Sequence, residues 1–169
     1  AISNPSADIP DTFFIKGAEC WGWATWARGW KLFESDGQKL LDKLELRGLQ
    51  KEADFNNSYG YTKMLKDQIK GKNDSWAIRW YMSAFLQNKL TLWPKQSLVQ
   101  NIGNDGSGTH CSPTEQFFIK SLSKNLPLFD KPNQIVENLE AKSLIERYLN
   151  SLKRNFLDKV FSKIKGSIT

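Results

Sequence analysis

Histidine and cysteine are almost missing from this chain, whose 169 residues hold one histidine, His110, and two cysteines, Cys20 and Cys111. Two cysteines are too few for a disulfide scaffold and have no metal-type spacing, so a reducing cytosolic setting is the simpler expectation, with a single long-range bridge left open. No paired Cys or His arrangement for zinc is present. A Ser-His-Asp triad has His110 as its one possible centre, and no Gly-x-Ser-x-Gly elbow holds a nucleophile, which argues against hydrolase chemistry of that type. The glycine-rich Walker loop and the Gly-x-Gly-x-x-Gly fingerprint are missing too. So are internal repeats and low-complexity tracts. No apolar run approaches the roughly 20 residues that cross a bilayer, and the N-terminus lacks the basic-then-apolar order of an export signal, so neither spanning nor export is expected.

What is present is ordinary in bulk, 40% hydrophobic and 25% charged residues, enough for one domain with a sizeable core. The formal charge of +6 favours anionic partners such as nucleotide phosphates, nucleic acid or an acidic membrane face without choosing among them. Asn56-Asn57-Ser58 and Asn73-Asp74-Ser75 match the glycosylation acceptor pattern, which is too short to carry weight. The chain opens at Ala1 and continues through a polar, turn-rich lead-in to Pro10, which reads as a piece cut from something longer.

Periodicity predicts an α+β, helix-rich chain. Phe13-Phe14-Ile15 reads as a short strand, and Ser35 or Asp36 can cap a helix running to about Arg47, with Leu40, Leu41 and Leu44 at helical spacing and Gly48 as its stop. A second helix is expected over Tyr61–Lys70, ending before Gly71. A third follows Asn73, Asp74 or Ser75 as N-cap, apolar on most of its circumference and hence largely buried. Leu90–Trp93 and Ser97–Ile102 alternate like short strands. Gly103 to His110 reads as a glycine-rich loop, Pro127 and Pro132 lie in a linker, and Glu137–Lys165 forms a long amphipathic helix.

The densest signal is tryptophan: four of the seven lie between Trp21 and Trp30, interleaved with Gly22, Ala24 and Gly29. Indole rings so spaced can wall a cleft where a sugar ring or nucleobase stacks, or they can anchor a core. Asp74 reads either as a helix cap or as a general base. His110, beside glycines and Asp105, reads as a surface residue or as a group that reaches a phosphate or a metal ion.

Cys20-Trp21-Gly22-Trp23-Ala24-Thr25-Trp26, Asp74-Ser75-Trp76-Ala77-Ile78-Arg79-Trp80, Leu98-Val99-Gln100-Asn101-Ile102-Gly103 and Thr109-His110, in that order, resemble bacterial family 2-like glycosyltransferases. The likeness covers about residues 10 to 111 and is to the acceptor-side half of a GT-A type enzyme, without the nucleotide-binding Rossmann-like half that such enzymes carry upstream. Residues 1–111 then form the acceptor-side part and 112–169 a linker with a helical extension. The resemblance implies an inverting transfer from a nucleotide-sugar donor to a glycan or lipid-linked acceptor, with a divalent metal, manganese or magnesium, in the complete enzyme. Carried over, Asp74 is the catalytic base, and Arg79 steadies that acid or a phosphate. Trp21, Trp23 and Trp26 line the sugar cleft while Gly22 keeps the backbone close, and His110 lies near the diphosphate or its metal. The family often has Glu-Asp where this chain has Asn73-Asp74, and Glu34-Ser35-Asp36 reads as a helix start rather than a metal motif. The basic helix Glu137–Lys165 packs on the domain or touches anionic lipid at the inner face of the membrane. The alternative is a carbohydrate- or nucleic-acid-binding module without catalysis, although the resemblance itself does not call for nucleic acid.

Overall fold

The structure, a computed structural model, describes residues 9–100, 102 and 134–166, without the side chains of 154–166. It is α+β and helix-rich. Strands β1 (Thr12–Lys16) and β2 (Leu90–Pro94) form a two-stranded antiparallel sheet with Phe14 opposite Leu92. Between them in sequence come helices α1 (Ala27–Trp30), α2 (Gly37–Leu46), α3 (Gln50–Ala53), α4 (Tyr61–Ile69) and α5 (Trp76–Leu86), and α6 (Leu139–Gly166) follows.

Local chemistry accounts for most of these limits. Asp36 caps α2, its carboxylate accepting from Gln38 N at 2.9 Å and Lys39 N at 3.2 Å, and Gly48 turns the chain with φ +63° beyond the last turn. For α4 the N-terminal acceptor is remote: Asp54 Oδ1 takes the Thr62 N–H at 2.6 Å. Ser75, rather than Asp74, caps α5, its Oγ accepting from Ile78 N at 3.3 Å while Asn73 Oδ1 accepts from Ser75 N. As its composition requires, α5 is buried on most sides, at Ile78 and from Trp80 through Leu86.

Two expectations need correction, and two short helices are added. Ser97–Gln100 is not a strand, because the Ser97 hydroxyl bonds the backbone of Val99 and offers that segment a local turn in place of a ladder. The last helix begins at Leu139, not Glu137: Asn138 Oδ1 accepts from Ala141 N at 2.8 Å, and Glu137 instead bridges Phe14 and accepts from Lys16 N. The single-turn helices α1 and α3 were not foreseen, since four residues are too few to show a period.

One core joins all of this. Phe13 and Ile15 of β1, Leu40, Leu41 and Leu44 of α2, Leu65 of α4, Ile78, Met82 and Phe85 of α5, and Ala141 and Ile145 of α6 pack in one cluster. The α6 helix also holds a left-handed turn at Phe55, Asn56 and Asn57, with φ between 49° and 64°. Glu146 accepts from Asn56 Nδ2 at 2.7 Å, Asn150 donates to Ser58 Oγ at 2.9 Å, and Lys153 donates to Asn57 O at 2.5 Å. In the Asn56-Asn57-Ser58 pattern the exposed Asn56 amide donates to Glu146 and Ser58 is buried. Among the described residues no helix is long and apolar enough to cross a membrane. The boundary expected between 111 and 112, and the loop and linker expected around it, lie outside the described residues.

Candidate functional site

The tryptophan run leaves β1 through Gly17, at φ +104°, where a side chain would strike the Tyr81 ring. It turns again at Gly22, at φ +59°, where a Cβ would collide with Val99. This second glycine lets the run press against the segment that follows β2. Trp23 then points at α5, its ring centroid 5.6 Å from Trp76 and 5.8 Å from both Trp80 and Trp30. Trp30 lies 5.1 Å from Trp80 and stacks on Phe33 at 4.8 Å, with the planes 5° apart. Five rings thus meet over one end of α5.

Burial divides the tryptophans by role. Trp80 is 5% exposed and packs with Ala18 and Ala84 as the floor. Trp30 and Trp76 are each 41% exposed and form a rim open to solvent, with Trp23 half-buried between them. Trp21 and Trp26 are 48% and 69% exposed, so neither anchors a core. Trp26 is covered on one face by the Arg28 guanidinium at 4.7 Å. Of Trp21, Trp23 and Trp26, which the resemblance places at the sugar cleft, Trp23 sits within the ring cluster. The wall is built from Trp23, Trp30, Trp76, Trp80 and Phe33, and the spacing of Trp76 and Trp80, four apart on one helix, is the signal that points to the second half of it.

Asp74 is exposed just before α5, two residues from the rim ring Trp76, and its carboxylate is not used as the cap because Ser75 holds that place. Arg79 Nη1 donates to Ser35 O at 2.8 Å and the guanidinium lies 5.8 Å from the Phe33 centroid, so part of this side chain ties the entry of α2 to the wall. Its Nε and the neighbouring Trp80 Nε1 are buried N–H groups with no hydrogen-bond acceptor among the described residues. Such donors are rare in folded proteins and mark a place where an acceptor is wanted. Glu34-Ser35-Asp36 is a helix start: Asp36 caps α2, and Glu34 Oε1 accepts from Asp36 N at 2.9 Å. Among the described residues no group of three or more His, Cys, Asp or Glu is placed to hold a metal ion. His110, assigned to the diphosphate or metal, lies outside the described residues.

Sequence reasoning passed over a second cluster beside the wall. Glu19 Oε1 accepts from Tyr61 Oη at 3.2 Å, and Tyr61 stacks on Tyr81 at 4.1 Å and meets Tyr59 at 4.6 Å. Desolvation raises the Glu19 carboxyl above the usual carboxylate range, against the opposing Tyr61 hydrogen bond. Burial, then the Glu19 charge, pushes up Cys20, Tyr59, Tyr61 and Tyr81. A shallow pocket of about 100 Å³ between Glu34, Leu40, Lys43, Arg47, Ser83, Leu86 and Gln87 lies apart from both clusters. Arg47 already donates to Leu86 O and Ser83 Oγ to Arg79 O. Compared with known proteins, the chain matches no family model, no curated protein and no solved structure.

Proposed function

We propose that this chain is the acceptor-side part of an inverting, nucleotide-sugar-dependent glycosyltransferase of the GT-A type, working in polysaccharide synthesis on the cytoplasmic side of the membrane. The observation that carries the reading is convergence. The described stretches of the glycosyltransferase resemblance, far apart in sequence, meet in space: Gly22 lies against Val99, and Trp23 against Trp76 and Trp80. Their meeting place is an aromatic wall whose rim rings Trp30 and Trp76 are open to solvent, the kind of surface on which the apolar face of a sugar ring stacks.

In this reading Asp74 accepts the proton of an acceptor hydroxyl as that oxygen forms its bond to the anomeric carbon. The bond from that carbon to the nucleotide diphosphate breaks in the same inverting step. The wall holds a ring close to the exposed carboxylate, a contribution of positioning rather than of charge. A divalent metal and the donor's nucleotide would belong to an upstream half, with His110 beside them. The acceptor is a glycan or a lipid-linked sugar, and the basic end of α6 would rest on the membrane face that presents it.

Transfer by the natural gene product that contains this segment tests the assignment. Asp74→Asn should abolish turnover and leave donor affinity within a few-fold, because the base acts only on the acceptor. Trp76→Ala should raise the acceptor KM roughly tenfold or more by removing a stacking face. Undiminished turnover in the Asp74 variant would refute the base. Sugar affinity that needs neither nucleotide nor metal, with no transfer, would favour a carbohydrate-binding module built on the same wall.

A further inference from the structure

Trp26 stands outside the ring cluster and is the most open of the tryptophans, at 69% exposure. Its backbone is nonetheless fixed. Trp26 O accepts from Gly29 N at 2.8 Å and from Trp30 N at 3.0 Å, which sets Trp26 one turn away from the rim ring Trp30. The Thr25 hydroxyl lies 2.5 Å from where a Cβ on Gly29 would stand, so the turn closes tightly on the residue before Trp26. Beyond the turn, Phe33 N donates to Trp30 O and the Trp30 ring stacks on Phe33. The Arg28 guanidinium covers one face of Trp26, which at this exposure leaves the opposite face open. Single exposed apolar side chains are common on protein surfaces. A ring already held by its backbone and by a stacked cation differs from them, because it has less freedom to lose when a ligand settles on it.

We propose that Trp26 and Arg28 form a second, outer subsite beside the wall, which takes an acidic sugar residue of a glycan chain longer than one unit. The proposal rests on the reading of the wall as a sugar site and not on transfer. The rim rings Trp30 and Trp76, 6.1 Å apart, border one place for a sugar ring. Trp26 is not part of that cluster, so a single sugar held there leaves it uncovered, and a further residue of the same chain is what reaches it. Charge names the class of that outer residue. Among the described residues neither Arg28 nor Lys31, which closes the same turn, is paired with a carboxylate. A guanidinium stacked on an indole keeps its N–H groups in its own plane, where a carboxylate accepts two of them side by side. At the inner end the exposed Asp74 lies beside Trp76 and carries the opposite sign, so a neutral unit suits that place. A single-stranded nucleic acid carries a phosphate at every unit and would lose at Asp74 what it gains at Arg28.

The test follows the indole N–H signals of the seven tryptophans by nuclear magnetic resonance, so that each ring reports for itself. The chain is titrated with N-acetylglucosamine, with glucuronate, with the tetrasaccharide of N-acetylglucosamine, and with the tetrasaccharide that alternates glucuronate and N-acetylglucosamine. Single sugars should shift the wall indoles and leave the Trp26 signal in place. The alternating tetrasaccharide should move Trp26 as well, and should bind roughly tenfold or more tighter than the neutral one. Trp26→Ala should bring its affinity down to near that of a single sugar. Arg28→Gln should erase the preference for the acidic chain and leave the neutral chain within a few-fold. Both side chains are exposed, and circular dichroism checks that the variants keep their helix content. A Trp26 signal that neither tetrasaccharide moves, or equal affinity for the acidic and neutral chains, would overturn the outer subsite, while a response of the wall indoles keeps the wall as a sugar site. Wall indoles that no sugar moves would remove the wall reading and the subsite together. Tighter binding of oligothymidylate than of any glycan would overturn the proposal in favour of nucleic-acid stacking.

Discussion

At the scale of single residues, backbone conformation decides what the aromatic run can touch. Gly22 sits at φ +59° with the Val99 side chain filling the space a Cβ would need, so the wall and the segment after β2 meet only because this residue has no side chain. Gly22→Ala is therefore expected to lower stability by about 1–3 kcal/mol, the usual cost of a non-glycine residue in that conformation, with steric displacement of Val99 added to it. Urea unfolding followed by tryptophan emission measures this. An unchanged midpoint would mean that the segment after β1 relaxes freely and that the Val99 contact is incidental. Asp74 and Ser75 carry a related lesson. Both are good cap residues in the sequence, but one hydroxyl reaches Ile78 N and so leaves the neighbouring carboxylate exposed beside the rim.

At the scale of elements, short-range signals placed α2, α4, α5 and both strands, and misplaced the start of α6 and the segment after β2. Asp36, the leucine stripe and Gly48 specify α2 within one or two residues, because caps and i, i+4 spacing act inside the helix itself. Asp36→Ala should cost about 1 kcal/mol through loss of two accepted N–H bonds, seen as a lower midpoint in thermal unfolding. No change would mean that solvent satisfies those groups equally well. The alternation in Ser97–Ile102 resembled that of a strand, yet alternation cannot reveal whether a partner strand exists, and here the Ser97 hydroxyl takes up the local backbone instead. For α6 the periodicity was sound while its start was displaced, since Glu137 is drawn to β1 by a contact 121 residues distant.

At the scale of the whole molecule, the first half of α6 is part of the same core as β1, α2 and α5, through Ala141 and Ile145. Ile145→Ala should then lower stability by about 2–5 kcal/mol in a single transition, with tryptophan emission and circular dichroism unfolding together. Separate midpoints for the two signals would show that α6 docks independently. The tryptophan wall is likewise a property of the assembled molecule: α5 supplies Trp76 and Trp80, the segment after β1 brings Trp23, and α1 adds Trp30.

The amino-acid sequence alone determined the helix-rich class, the spans of α2, α4 and α5, the β1 and β2 strands, and the concentration of indole rings, because these follow from caps, periods and residue types acting over a few positions. Which tryptophans form the floor and which the rim, which residue caps α5, and that Arg79 grips Ser35 while Glu19 reaches Tyr61 were decided by the tertiary structure. Each of those depends on contacts between segments tens of residues apart, whose approach is set by the packing of the common core rather than by any local pattern.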